Sequence, residues 1–212
     1  MAIISGGVIM GNKIKVIKKD EYKTSTWTGG TTTQLYIYPE ESQYNKRNFL
    51  FRISSAKVEV EESVFTHLPG INREIMIIDG ELELEHEGHH NTKLSRFDKD
   101  RFSGDWTTRS YGKVTDFNLM MNNSCDGSLE HIEIKRRSRK NNKLYKDEKC
   151  DKVANVLYCV NGSVFIELEE NVGLDEGDLF VFITDTNINK DSISIFNGSN
   201  EDSNIIISRV YF

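Results

Sequence analysis

His67 and Arg73 are the residues whose type and spacing most directly offer chemistry. They bracket His67-Leu-Pro69-Gly70-Ile-Asn-Arg73, which runs into an apolar stretch ending at Asp79-Gly80. An imidazole titrates near neutral pH and can donate, accept or ligate. A guanidinium repels a metal cation and offers a planar fork of donors that matches a carboxylate. Arg52, in Phe51-Arg52-Ile53, repeats the arrangement: a cation within an apolar strand, where an unpaired charge is costly. Two readings follow. The arginines line an interior anion site, with His67 donating to the same ligand, or each pairs with an internal acid such as Asp105 or Asp116 and His67 is a rim residue. Gln34, Ser54, Asp105 and Asn118 lie in or beside strands, where they can orient a polar molecule or satisfy backbone groups. Phe65, Phe102 and Tyr36 supply an apolar wall. Trp27-Thr-Gly29-Gly30 reads either as a cap, its glycines allowing close backbone approach, or as a tight turn with a packed Trp.

Other constellations are weaker. His86, His89 and His90 tempt as a metal cluster, but they occupy a strand end and a turn rich in Glu and Gly, so a solvated turn is expected. Catalytic signatures are scarce: Gly-x-Ser-x-Gly does not occur, and Cys125 lies in a polar loop without an assigned histidine. Gly29-Gly30 with its threonines lacks the Gly-Lys-Ser/Thr ending of a phosphate loop. Glu59, Glu61, Glu81, Glu83 and Glu85 alternate along strands, as on a solvated outer face.

Positioning these residues falls to β-strands. The segments 34–38, 48–54, 57–61, 73–79, 81–87, 92–94 and 114–121 carry strand patterns, as do 128–137, 153–160, 163–168, 174–182, 193–196 and 205–210. Asp79-Gly80 and Asn161-Gly162 read as the turns of two hairpins, and Glu87–Asn91 as a further turn. Helical spacing is absent, so the class is all-β, a sandwich or barrel. The chain has 212 residues, 37% hydrophobic and 28% charged, with two prolines and fifteen glycines, a composition that supports a real core. A net charge of −6 argues against nucleic acid or acidic membranes as partners, and the basic run 135–140 reads as a solvated strand end. Its three cysteines lack Cys-x-x-Cys spacing, and Cys159 lies in an apolar run, so reduced thiols and a cytoplasmic location are expected. No stretch has the ~20 apolar residues of a membrane span. Residues 1–12 are read as an N-terminal extension, with a second plausible start at Met10.

The apolar strand ending at Asp79-Gly80 recurs at Asn161-Gly162, 82 positions later, which indicates two tandem domains of one plan. Their rhythm resembles the cupin hairpin. Metal-binding cupins present His-x-His, then Glu, then Gly; here His67 and Gly80 hold their places while Pro69 and Arg73 replace the second His and the Glu. Six motifs in order resemble the HutD/Ves family of bicupins: Trp27–Gln34, Ile37–Pro39, Phe51–Ala56, Phe65–Arg73, Phe102–Asp105 and Val114–Met120. They cover about residues 13–125. The resemblance implies a double cupin without the metal triad, associated in some bacteria with histidine utilisation through a small acidic intermediate such as formylglutamate.

The expectation is therefore an all-β bicupin, with an N-terminal barrel at 13–125 and a C-terminal barrel at 126–212. Its first barrel binds a small carboxylate through Arg52, Arg73, His67, Trp27, Gln34, Ser54, Phe65, Phe102, Asp105 and Asn118, in a sensing or regulatory role, with no metal and no cofactor. One alternative is a cofactor-free isomerase or hydrolase using His67 with Asp105; another is a structural module whose barrels are filled. Exposed strand edges make a homodimer reasonable.

Overall fold

Period-two burial marks several of the shorter strands, whereas the longest strands are buried on both faces. The computed structural model describes residues 7–9, 12–143, 150–168, 171–185 and 192–212. Its strands are β1 (Gly7–Ile9), β2 (Asn12–Ile17), β3 (Lys23–Trp27), β4 (Gly30–Tyr38), β5 (Phe51–Val58), β6 (Glu62–Val64), β7 (Ile71–Gly80), β8 (Leu82–His86), β9 (Asn91–Leu94), β10 (Lys99–Ser103), β11 (Thr108–Tyr111) and β12 (Val114–Asn122). There follow β13 (Asp126–Ile134), β14 (Ser138–Lys143), β15 (Lys152–Asn161), β16 (Ser163–Glu167), β17 (Val172–Asp175), β18 (Leu179–Asp185), β19 (Ser192–Asn197) and β20 (Ser203–Tyr211). Among the described residues the helical elements are two single 3-10 turns, Lys19–Glu21 and Tyr44–Lys46. None is long or apolar enough to cross a membrane.

The chain divides into two compact units. The first, Tyr22–Leu129, pairs a six-stranded sheet ordered β10-β7-β12-β5-β4-β3 with a four-stranded sheet ordered β6-β11-β8-β9. Ile75, Ile77 and Val114 of the larger sheet pack on Leu82, Leu84 and Leu94 of the smaller one. The second, Met1–Glu21 with Glu130–Phe212, repeats the plan with β1-β2-β18-β15-β20-β13 and β14-β19-β16-β17. Burying Leu157, Phe180, Ile205 and Ile207 against Val164 and Ile195 closes its core.

Two sequence expectations change. The boundary at residues 12/13 fails because β2 pairs antiparallel with β18, Val16 opposite Phe180, placing residues 12–17 in the second unit. β1, within the stretch read as an extension, pairs with β2. The second change concerns the Gly80 and Gly162 turns. β7 pairs with β10 and β12, whereas β8 pairs with β9 and β11. Likewise β15 pairs with β18 and β20, and β16 with β17 and β19. Both glycines are therefore corners that pass the chain between sheets. Gly80 has φ +85° and Gly162 φ +80°, a region L-residues rarely enter. With only Glu81 between β7 and β8, the chain cannot fold back as a two-residue hairpin. The true hairpin is β8–β9, across the expected 87–91 turn.

Candidate functional site

The first unit encloses a cavity of about 300 Å³ against the inner face of its larger sheet. Alternation puts Arg52, Ser54, Ala56 and Val58 of β5 and Asp116, Asn118 and Met120 of β12 on that face. Register then sets them in rows. Arg52 lies opposite Met120, Met120 opposite Arg73, and Arg73 opposite Phe102, so two guanidinium groups flank one methionine. The next row sets Ser54 beside Asn118, and the next Ala56 beside Asp116. Val64, Phe65 and Thr66 face them from the other side, with the part-exposed Trp27 and Val64 at the mouth.

The two arginines carry the electrostatics. Arg52 donates from Nε to Gln34 Oε1 and from one terminal nitrogen to Ser54 Oγ, both at 3.0 Å, and its guanidinium lies 4.3 Å from the Tyr44 ring centroid. Arg73 packs against the adjoining rings of Phe65 and Phe102, 4.7 and 5.1 Å from their centroids, and its Nε is buried without a hydrogen-bond partner. Among the described residues neither guanidinium reaches a carboxylate within 4.0 Å, so the internal ion pair weighed from sequence does not form. Burial lowers the pKa of both, that of Arg73 to about 10, with Asp116 opposing the shift. Asp116 is the one acid on the lining. Burial pushes its carboxyl up to about 7 against the pull of Arg73 and an Ala56 backbone hydrogen bond, and its Oδ1 is unpartnered. Asn118 Oδ1 is unpartnered as well. Buried polar groups are ordinarily satisfied, so this lining has spare capacity for both donors and acceptors.

Of the residues expected from sequence, Arg52, Arg73, Trp27, Ser54, Phe65 and Asn118 line the cavity. Gln34 and Phe102 stand one contact behind it, on Arg52 and Arg73. Gly29 lies beneath the Trp27 indole, where an added Cβ would come within 2.1 Å of the ring. His67 and Asp105 are exposed and off the lining. Asp105 accepts from the Gly70 N–H at 3.2 Å and the Ser103 hydroxyl at 2.9 Å, and the Gly70 bond, foremost, depresses its pKa. It clasps the loop before β7, which is why the expected His67–Asp105 pair does not enter the cavity. Tyr36, expected on the wall, packs on Phe51 instead, because a bulge between Gln34 and Tyr36 shifts the register of β4. Sequence reasoning left Asp116 and Tyr44 off the site. The Asp116-x-Asn118 spacing was a readable signal, whereas Tyr44 sits in a 3-10 turn outside any strand pattern.

The histidine cluster departs from expectation at His86, whereas His89 and His90 are exposed as expected. His86 is buried, packs on Phe102 at 4.6 Å between ring centroids, and is no part of a solvated turn. The basic run, by contrast, is engaged locally: Lys135 bonds Asp202, Arg137 bonds Asn200, and Arg139 bonds Glu167. Cys125 and Cys159 are buried, and burial pushes the Cys159 thiol up to about 12.

The profile of the family described as HutD matches residues 19–194. The fold is similar to that of a conserved protein of unknown function from Pseudomonas aeruginosa, with TM-score 0.75 and 17% identity, covering 94% of this chain and 99% of that one. HutD from Pseudomonas fluorescens, in a formate condition, gives TM-score 0.68 and 20% identity over 93% and 98%. A bacterial pirin from Escherichia coli, in complex with nickel(II), gives 0.65 and 10% over 92% and 98%. No curated protein matches the chain. These likenesses establish an all-β, cupin-like fold.

Proposed function

Because this chain belongs to the HutD family, we propose that it is a bicupin whose first unit binds a small carboxylate, in a sensing or sequestering role in cytoplasmic amino-acid breakdown. Formylglutamate, a histidine-degradation intermediate, is the leading ligand. One observation carries the reading: two buried guanidinium groups share one cavity and have no carboxylate partner among the described residues. A buried charge is tolerated when something pairs it, and a carboxylate from outside fits the fork. About 300 Å³ suits a small metabolite. Phe65 and Phe102 keep Arg73 fixed, so less ordering is needed on binding.

The test is a thermal-shift panel of formylglutamate, glutamate, urocanate, imidazolepropionate and formate. Ligand at 100 times its Kd adds ~2.7 kcal/mol to stability. At least one acid is expected to raise the melting temperature in the wild type and not in Arg73→Ala. If no acid does so, or if Arg73→Ala keeps the shift, the reading fails. Larger shifts for dicarboxylates than for formate would mean that both arginines engage. A second reading rests on Asp116, whose proton leaves near neutral pH, as suits a general acid–base group. Turnover of a bound acid, abolished in Asp116→Asn with affinity retained, would establish an enzyme.

A further inference from the structure

The β8–β9 hairpin carries a cluster that the cavity does not use. Its turn is closed by the His89 N–H on the His86 carbonyl and the His86 N–H on the His90 carbonyl, both at 2.9 Å. His86 and His90 thus leave the hairpin side by side, with ring centroids 4.6 Å apart. Asp100 reaches both from β10: Oδ2 is 2.9 Å from His86 Nε2, and Oδ1 is 3.0 Å from His90 Nε2. The ligand atoms of the three residues lie within 4.8 Å of one another. Behind them Thr108 Oγ1 sits 2.8 Å from His86 Nδ1. Trp106 covers the group, its ring stacked on His89 at 3.7 Å and edge-on to His86 and His90. The His86 side chain is wholly buried and that of His90 is 41% exposed, leaving one side open to solvent.

We propose that His86 Nε2, His90 Nε2 and the Asp100 carboxylate form a site for one divalent transition-metal ion of the zinc, cobalt or nickel class. Two imidazoles and a single carboxylate suit these ions, whereas calcium and magnesium favour all-oxygen sets. Three protein ligands leave a fourth, water-accessible position, as in open tetrahedral sites. Metal–nitrogen distances of about 2.0–2.1 Å require the donors to draw together, and the part-exposed His90 has room to do so.

The outer partner makes the buried ring serviceable. In the empty site His86 Nε2–H donates to Asp100, and Nδ1 accepts from the Thr108 hydroxyl. When a metal binds, the proton resides on Nδ1 and donates to Thr108 Oγ1, which frees the Nε2 lone pair. A hydroxyl both donates and accepts, so Thr108 serves either tautomer without moving. These residues are distinct from His67, Pro69 and Arg73, where a cupin triad would fall.

The test uses untagged, full-length protein stripped with chelator and titrated with cobalt(II) and zinc(II) chloride. Stoichiometry comes from equilibrium dialysis, coordination from the cobalt visible bands, and location from quenching of Trp106 emission in a Trp27→Phe background. One ion per chain is expected. His90→Ala and Asp100→Asn should each weaken binding at least tenfold, and Thr108→Val by roughly tenfold, as outer partners usually do. His89→Ala should retain one ion, and Arg73→Met should leave cobalt uptake intact, which separates this site from the carboxylate cavity. No stoichiometric ion in the wild type overturns the proposal and leaves a hydrogen-bonded clasp between β8–β9 and β10. Equal uptake by His90→Ala overturns it as adventitious binding. Should Asp100→Asn not fold, the His90→Ala arm decides alone, since that ring is part exposed.

Discussion

Arg73 and Arg209 are both buried arginines on a six-stranded sheet, one in each unit, and they keep different company. Arg209 of β20 donates to Asn155 Oδ1 at 3.4 Å and the Lys143 carbonyl at 3.3 Å, with Glu130 at 3.8 Å. Arg73 of β7 lies against two adjacent aromatic rings and has an unpartnered Nε. The surroundings differ in the same sense. Around Phe180, Leu157 and Ile207 the second unit is packed with aliphatic side chains. In the equivalent interior the first unit has a cavity lined by two cations, an acid and an amide. One plan thus supports a closed core and an open site. A paired arginine is structure; an unpaired one, costly to keep, points to a missing partner.

The widest separation of the two units should come from removing each arginine. Arg73→Met is expected to lower carboxylate affinity by about 2–5 kcal/mol, since truncating a buried charge partner costs that much. The same change should stabilise the unliganded protein by roughly 1–4 kcal/mol, because an unpaired buried cation is replaced by an apolar side chain of similar volume. Arg209→Met should instead destabilise by roughly 1–3 kcal/mol, leaving buried acceptors unmet, with carboxylate binding unchanged. Calorimetry with denaturant melts checks both. If Arg73→Met destabilises as Arg209→Met does, the contrast between the units collapses.

A smaller contrast lies at the corners. A Cβ on Gly80 would sit 2.5 Å from the Lys113 carbonyl oxygen, whereas on Gly162 it would meet Ser203 Oγ at 2.4 Å. Both substitutions carry a left-handed backbone cost of about 1–2 kcal/mol. Backbone cannot yield, but a serine can rotate, so Gly80→Ala should destabilise by ~1 kcal/mol or more beyond Gly162→Ala. Equal denaturant midpoints for the two variants would remove this asymmetry.

A further contrast is one of pH. Asp116 has a folded pKa of about 7, above the unfolded carboxylate value. The folded state therefore binds the extra proton between about pH 4 and 7, and stability falls as pH rises through that window. Above it an ionised Asp116 partly neutralises Arg73 and repels a carboxylate. Affinity should accordingly rise up to about tenfold from pH 8 to pH 6, about 1.4 kcal/mol, and Asp116→Asn should flatten the profile. Titration calorimetry at the two pH values reads it directly. No pH dependence in the wild type would mean that Asp116 does not meet the ligand.

Much of the fold was legible because apolar, β-branched runs bounded by turn residues mark strands. β7, β12, β15 and β20 fall within a few residues of their expected spans, and Arg52 with Ser54, or Asp116 with Asn118, share a face by spacing alone. The Gly80/Gly162 repeat was legible too, though not its meaning. A positive-φ glycine marks a change of direction, and whether the chain folds back or crosses to another sheet depends on which strands are free to pair. His67 and Asp105 looked as suited to the site as Arg73, yet a local clasp holds Asp105 on the surface.

What the amino-acid sequence determined by itself was most of the longer strands, the two-unit repeat, the family and the presence of arginines in apolar surroundings, all consequences of local spacing and composition. Tertiary structure alone decided that β2 joins β18 across some 160 residues of chain, and that Arg52 and Arg73 meet across Met120. It also decided that Asp116 shares the cavity with them and that His86 turns inward to meet Asp100. Each of these is a long-range pairing, set by strand register and by competition for burial, and no local pattern encodes which distant partner wins.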